Sequence, residues 1–227
     1  MLTFKSYLDE GVNDPAIFKA VFLAGGPGSG KSFIVGKTAL TSLGFKLINS
    51  DIAFERSLEK AGLDKGNPDD IYSKAGQLAR ISAKALTDKQ MNLAVQSRLG
   101  LVIDGTGKDF DKIKKQVIAL KKIGYEVSMI FVNTDQETAM SRNNKRDRKL
   151  PDVVVSKMWK QVQSNIGKFQ NLFGNMMIVV DNSDGANYEG AIRSAYRKMA
   201  AFAKKEPKMP QAKAWVQGQK KEVNSYI

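Results

Sequence analysis

The chain of 227 residues contains no cysteine and no histidine. The first absence excludes disulfides, a thiolate nucleophile and, with the second, zinc sites built on Cys or His. Without histidine, proton transfer would fall to Asp, Glu, Lys or Tyr. Long apolar runs are missing too: none approaches the length that spans a bilayer. Residues 1–10 lack the basic-then-apolar order of a signal peptide. A cysteine-free chain also fits a reducing compartment, so the expectation is a soluble, cytoplasmic protein without membrane contact. Acidic residues are in the minority, 23 against 36 Lys and Arg, which gives a formal net charge of +13. Such an excess suits nucleic acid or phosphate-rich ligands, and equally a lysine-rich surface that serves solubility. It is densest at 142–149, with five basic residues to one acid, and after residue 203, with six Lys to two Glu.

Short, nearly continuous apolar runs at 18–24, 45–49, 99–103, 126–132 and 176–180 read as strands buried on both faces. Helical patterns separate them: 32–43, 52–97 broken by a Gly-Asn-Pro turn near 65–69, 111–123, 135–148, 151–173 and 188–205. Strand–helix alternation predicts an α/β fold, a mostly parallel five-stranded sheet in a three-layer α/β/α arrangement. The expected organisation is a lead-in at 1–17 with one short amphipathic helix using Phe4, Tyr7 and Leu8, then a domain at 18–205 and a basic, loosely docked tail at 206–227. Within the domain, 52–97 is the candidate acceptor region and 141–151 a candidate lid. Asp51, Asp104 and Asp181 fall just past strand ends, the edge where open α/β sheets bind ligands.

The first strand runs into Gly25-Gly26-Pro27-Gly28-Ser29-Gly30-Lys31-Ser32, which fits G-x-x-x-x-G-K-[ST]. Glycines let a backbone wrap a phosphate with its N–H groups turned inward. The helix that follows aims its positive end at the same anion. Gly26, Pro27, Gly28, Ser29, Gly30, Lys31 and Ser32 are therefore the candidate nucleotide-binding residues. Lys31 would reach the β- and γ-phosphates and Ser32 would ligate Mg²⁺. The motif thus predicts a P-loop NTPase whose expected ligands are ATP and Mg²⁺.

The loop, Asn49-Ser50-Asp51, Ile103-Asp104-Gly105-Thr106, the arginines of 142–148 ahead of Leu150-Pro151, and Val180-Asp181-Asn182-Ser183 together resemble the zeta-toxin and polynucleotide-kinase-like branch of the P-loop kinases. The resemblance spans roughly residues 18–185. It implies an ATP-dependent kinase that passes the γ-phosphate to a hydroxyl of a nucleotide sugar, or of a nucleotide or nucleic acid. It implies that Asp51 acts as base on that hydroxyl, although Asp51 also reads as a helix N-cap before Ile52. Arg142 and Arg148 match the two lid arginines, with Arg146 one turn from Arg142 in reserve. The same stretch also reads as a solvated basic helix face or a nucleic-acid patch. Asp104 would serve Mg²⁺ as a metal-supporting acid, or bind substrate together with Thr106, or simply end its strand. Lys108 would meet an anionic acceptor or remain solvated. Arg56 is the candidate to grip the acceptor, one place later than the family pattern, with Glu55 intervening. Asn182 would lie beside the nucleobase.

Trp159, Phe169 and Phe173 read as core, and Trp215 either anchors the tail or stacks on a base. A P-loop ATPase or nucleotide-binding module coupled to nucleic acid or a protein is the alternative, and it has no need of a carboxylate at Asp51. A toxic kinase would also require a neutralising protein partner, an antitoxin or regulator of which the sequence carries no sign.

Overall fold

A computed structural model describes residues 12–146 and 149–225. Five strands form one sheet: β1 (Lys19–Ala24), β2 (Lys46–Ile48), β3 (Leu101–Asp104), β4 (Glu126–Asn133) and β5 (Met177–Asp181). Their order is β2-β3-β1-β4-β5, and every pairing is parallel. The mostly parallel sheet expected from the sequence is thus wholly parallel.

Side chains alternate across a strand, and the alternation divides the core. Ala20, Phe22, Ala24, Leu101, Ile103, Met129 and Phe131 belong to one cluster. Val21, Leu23, Val102, Ile130, Val132, Ile178 and Val180 belong to the other. The first is covered by α5 (Phe110–Lys122), α7 (Asp152–Gln163), α8 (Ile166–Phe173) and α10 (Pro210–Ser225). The second is covered by α1 (Lys31–Lys37) and α9 (Tyr188–Lys204). Helices on both faces give three layers. A small third core lies apart, where α2 (Ser50–Lys60), α3 (Pro68–Tyr72) and α4 (Lys74–Gln96) bury Phe54, Leu58, Ile71, Ala79 and Ala83. The remaining helix, α6 (Gln136–Asn144), follows β4.

Two segments differ from expectation. The helix after the phosphate loop ends at Lys37, well short of 43. Thr38 turns its hydroxyl back onto the Ile34 carbonyl at 2.7 Å, and Ala39 adopts a left-handed φ of 46°. Such back-bonding competes with helix propagation. The tail, expected to dock loosely, forms α10: Ala212 is fully buried, and Trp215 meets Phe18 edge to face at 5.5 Å. Trp215 therefore packs as an anchor. The helix expected around Phe4, Tyr7 and Leu8 lies outside the described residues.

Candidate functional site

The carboxyl ends of β1, β2 and β3 bring the phosphate loop, Asn49 and Asp104 to one edge; Leu23 and Asp104 are paired residues in the sheet. The loop closes on itself and on its neighbours. Lys31 Nζ donates to the Gly25 carbonyl at 2.7 Å, and the Gly25 N–H donates to the Thr106 carbonyl at 3.0 Å. Two of its glycines are dictated by both backbone and space. Gly28 has φ of 77°, and a Cβ there would sit 2.2 Å from the Ala139 carbonyl oxygen. Gly30 has φ of 82°, and a Cβ there would sit 2.4 Å from Asn182 Nδ2. A side chain at either would be both strained and obstructed. Gly30 caps α1 without a side-chain bond, and no acid occupies the first turn of that helix. Its leading N–H groups are thus left to a ligand. Within the loop the Ser29 hydroxyl is buried without a partner, and Ser32 is exposed.

Asp104 is half-buried at the end of β3. Its Oδ2 accepts from Asn49 Nδ2 at 2.7 Å, while its Oδ1 is buried and has no partner. Burial raises its pKa, the Lys31 charge opposes that rise, and Asp51 adds to it. Lys31 answers in kind: burial lowers its pKa, Asp104 and Asp51 raise it, and Arg146 lowers it. Lys31, Asp104, Asp51 and Arg146 thus share one electrostatic neighbourhood.

Asp51 stands exposed in the first turn of α2. The cap of that helix is Asn49, not Asp51: Asn49 Oδ1 accepts from the N–H groups of Asp51 at 2.7 Å and Ile52 at 3.4 Å. The same side chain donates to Asp104, so one amide ties the helix that carries Asp51 to the end of β3. Sequence reasoning gave Asn49 no role, although Asn two residues before Asp at a strand end is a capping signal. Arg56 is exposed on α2, about 140° round the helix from Asp51. The two do not share a face.

The residues that could hold a cation are limited. Among the described residues no three acidic side chains cluster. Mg²⁺ does not need such a cage, because it keeps several waters and takes phosphate oxygens beside one or two protein ligands. The unpartnered Oδ1 of Asp104 and the exposed hydroxyl of Ser32 fit that requirement.

Arg142 lies on α6 and forms an ion pair with Asp184 at 2.6 Å. Its Nη1 is 3.7 Å from the point a Cβ on Gly30 would occupy, which puts the guanidinium at the lip of the loop. Arg146 is exposed just past α6, and Arg148 lies outside the described residues. Asn143, which carried no sequence signal, is fully buried. It donates to the Leu150 carbonyl at 2.8 Å and accepts from the Leu150 N–H at 3.1 Å, which ties Leu150 to the last turn of α6.

Lys108 is exposed; the carbonyls of Gly107 and Lys108 both accept from the buried Asn165 at 3.0 Å. Thr106 accepts from the Lys108 N–H through its hydroxyl at 3.4 Å. Asn182 is buried beneath the phosphate loop, where its Nδ2 donates to the Ser29 carbonyl at 2.8 Å. Phe169 and Phe173 are buried in the core, and Trp159 is half-buried with its indole N–H on the Thr134 carbonyl at 2.8 Å.

The profile of the zeta toxin family matches residues 13–189, and the chain belongs to that family. No curated protein sequence matches it. Among solved structures it is similar to the PezAT chromosomal toxin–antitoxin system of Streptococcus pneumoniae, at 18% identity and a TM-score of 0.55, over 98% of this chain and 93% of that one. It is similar to a gluconokinase from Sinorhizobium meliloti 1021 at 15% identity and a TM-score of 0.51, over 82% and 94%. A third similar structure is AvrRxo1-ORF1:-ORF2 with ATP, at 17% identity and a TM-score of 0.58, over 86% and 70%. These likenesses establish the α/β fold of P-loop kinases. No helix among the described residues is long and apolar enough to cross a membrane.

Proposed function

We propose that this chain is an ATP-dependent kinase that transfers the γ-phosphate to a hydroxyl of a nucleotide sugar, or of a nucleotide or nucleic acid. The observation that carries this reading is the Asn49 amide, which donates to Asp104 at the end of β3, beside the phosphate loop, and caps the helix whose first turn holds Asp51. An ATPase needs no carboxylate facing an acceptor, and Asp51 heads a helix fastened to the nucleotide side by Asn49.

In this reading the loop amides and Lys31 hold the phosphates. The acceptor oxygen attacks the γ-phosphorus, the bond from that phosphorus to the bridging oxygen breaks, and ADP leaves. The hydroxyl proton passes to the Asp51 carboxylate. Arg142, with Arg146 and Arg148 from the same segment, offsets the charge that builds on the phosphoryl oxygens. Ser32 and Asp104 would hold Mg²⁺, which when bound neutralises phosphate charge. The net charge of +13 supports an anionic acceptor. The two neighbours described as toxin–antitoxin and paired-product structures support a protein partner, an antitoxin or regulator, for this chain as well.

The test is label transfer from γ-labelled ATP with Mg²⁺ into three separate pools: nucleotide sugars, nucleosides with nucleotides, and 5′-hydroxyl oligonucleotides. Label in one pool, lost in Asp51→Asn, is the expected result and names the acceptor class. Phosphate release with every pool unlabelled would replace this reading with an ATPase. Transfer unchanged in Asp51→Asn would remove that residue from the chemistry.

A further inference from the structure

Asp135 caps α6, and Thr138 and Arg142 follow at spacings of three and four, so all three lie along one side of the helix. That side is laced to the turn after β5. The Asp135 N–H donates to Ser183 Oγ at 2.9 Å. The Asp184 N–H donates to Thr138 Oγ1 at 3.0 Å. The Thr138 hydroxyl in turn donates to the Asp135 carboxylate at 2.8 Å. The last strand of the lacing is Arg142 Nη2, which donates to Asp184 Oδ1 at 2.6 Å. The other terminal nitrogen of the same guanidinium, Nη1, is the one that stands beside Gly30.

A guanidinium is flat and rigid, so fixing one terminal nitrogen constrains the direction of the other. We propose that Asp184 is a positioning residue: its carboxylate holds Arg142 Nη2 so that Nη1 is aimed across Gly30 at the terminal phosphate of a bound nucleoside triphosphate. This rests on the phosphate loop being a triphosphate site. The side chain of Asp184 is 65% exposed and that of Arg142 30%. Ion pairs this open add little to stability. What the pair contributes is direction, because a free arginine of this length would sample solvent. The backbone of Asp184 is fixed independently by Thr138, which gives the carboxylate a stable base from which to act.

The experiment measures ATP and ADP affinities by calorimetry on the full chain, with Mg²⁺, for wild type, Arg142→Ala, Asp184→Ala, Asp184→Glu and the double alanine variant. The quantity read is the preference for ATP over ADP, which isolates the terminal phosphate and needs no phosphoryl transfer. Wild type should prefer ATP, and Arg142→Ala should cut that preference about tenfold, the size of one charge-assisted contact. Asp184→Ala should lose most of the same preference with its thermal midpoint nearly unchanged. Asp184→Glu should recover part of it, and the double variant should match Arg142→Ala alone. A preference unchanged in Asp184→Ala would overturn the proposal. So would one that rises, since the carboxylate would then be competing with phosphate. Losses that add in the double variant would place Asp184 outside the action of Arg142, and a wild type without preference would remove the contact altogether. The labelled-ATP assay judges the kinase reading separately.

Discussion

Asn49→Ala separates the structural from the electrostatic duties of one side chain. The alanine loses the cap of α2, accepted from Asp51 and Ile52. Such a loss costs about 1 kcal/mol. It also loses the donor to Asp104 Oδ2 at 2.7 Å. A hydrogen bond to a charged group contributes about 1.5–3 kcal/mol. Allowing for partial solvation of this half-buried carboxylate, the two together amount to about 2–3 kcal/mol. For a chain of this size that lowers the thermal midpoint by about 4–12 °C. The Asp104 part depends on pH. Burial already raises the Asp104 pKa above the ordinary value of 3.8, so its ionised form is disfavoured in the folded state and stability from this group falls as pH rises through that range. The Asn49 amide opposes this by donating to the ionised form, and its removal raises the pKa further. The defect of Asn49→Ala should therefore be largest near pH 8 and shrink toward pH 4. Asn49→Asp keeps an acceptor for the cap but sets a carboxylate against Asp104, so it should show the pH-dependent part without the capping part. Differential scanning calorimetry at several pH values reads both. A pH-independent defect in Asn49→Ala would refute the coupling to Asp104, and a loss below 2 °C at every pH would refute the whole estimate.

Gly28→Ala places a methyl 2.2 Å from the Ala139 carbonyl, in a left-handed backbone; nucleotide affinity should fall by two orders of magnitude or more, roughly 3 kcal/mol, as read by displacement of a fluorescent analogue. Asn182→Ala leaves the Ser29 carbonyl without its buried donor; about 1–3 kcal/mol of stability should go, with ATP affinity falling alongside, and an unchanged affinity would separate Asn182 from the loop. Trp215→Ala removes the edge-to-face contact on Phe18; about 2 kcal/mol should be lost from this half-buried site, and limited proteolysis should cut first near α10 while nucleotide affinity holds.

The sheet was legible because its signals are local. Each strand is a short apolar run, and the alternation that divides Val21 and Leu23 from Ala20 and Phe22 is written in consecutive residues. The phosphate loop was legible for a related reason: Gly28 and Gly30 are demanded by a backbone that only glycine adopts easily. The polar supports were not. Asn143, Asn165 and Asn182 bond to Leu150, to Gly107 and Lys108, and to Ser29, and the last pair is separated by 153 positions. A buried asparagine far from its partner looks in sequence like any surface asparagine. The end of α1 was misjudged because periodicity continues past Lys37, while the back-bond of Thr38 does not register as a breaker. The tail was misjudged because its lysines suggest solvent, although Ala212, Trp215 and Val216 form an apolar stripe within them.

The choice of asparagine for these supports has a physical consequence. Asn49, Asn143, Asn165 and Asn182 each fix a strand end or loop at the edge that carries the site. An amide both donates and accepts, so one side chain serves three partners at Asn49, the N–H groups of Asp51 and Ile52 and the Asp104 carboxylate, and two at Asn143, the carbonyl and N–H of Leu150. It carries no net charge, and so leaves the local potential to Lys31, Arg142, Arg146, Asp51 and Asp104. Had arginine or aspartate done the same work, each support would have added a charge to that potential. Neutral amides also resist screening by salt, whereas attraction between an exposed arginine such as Arg146 and an anion does not. The architecture thus separates two tasks: hydrogen bonds set where the loops stand, and charges set what binds between them.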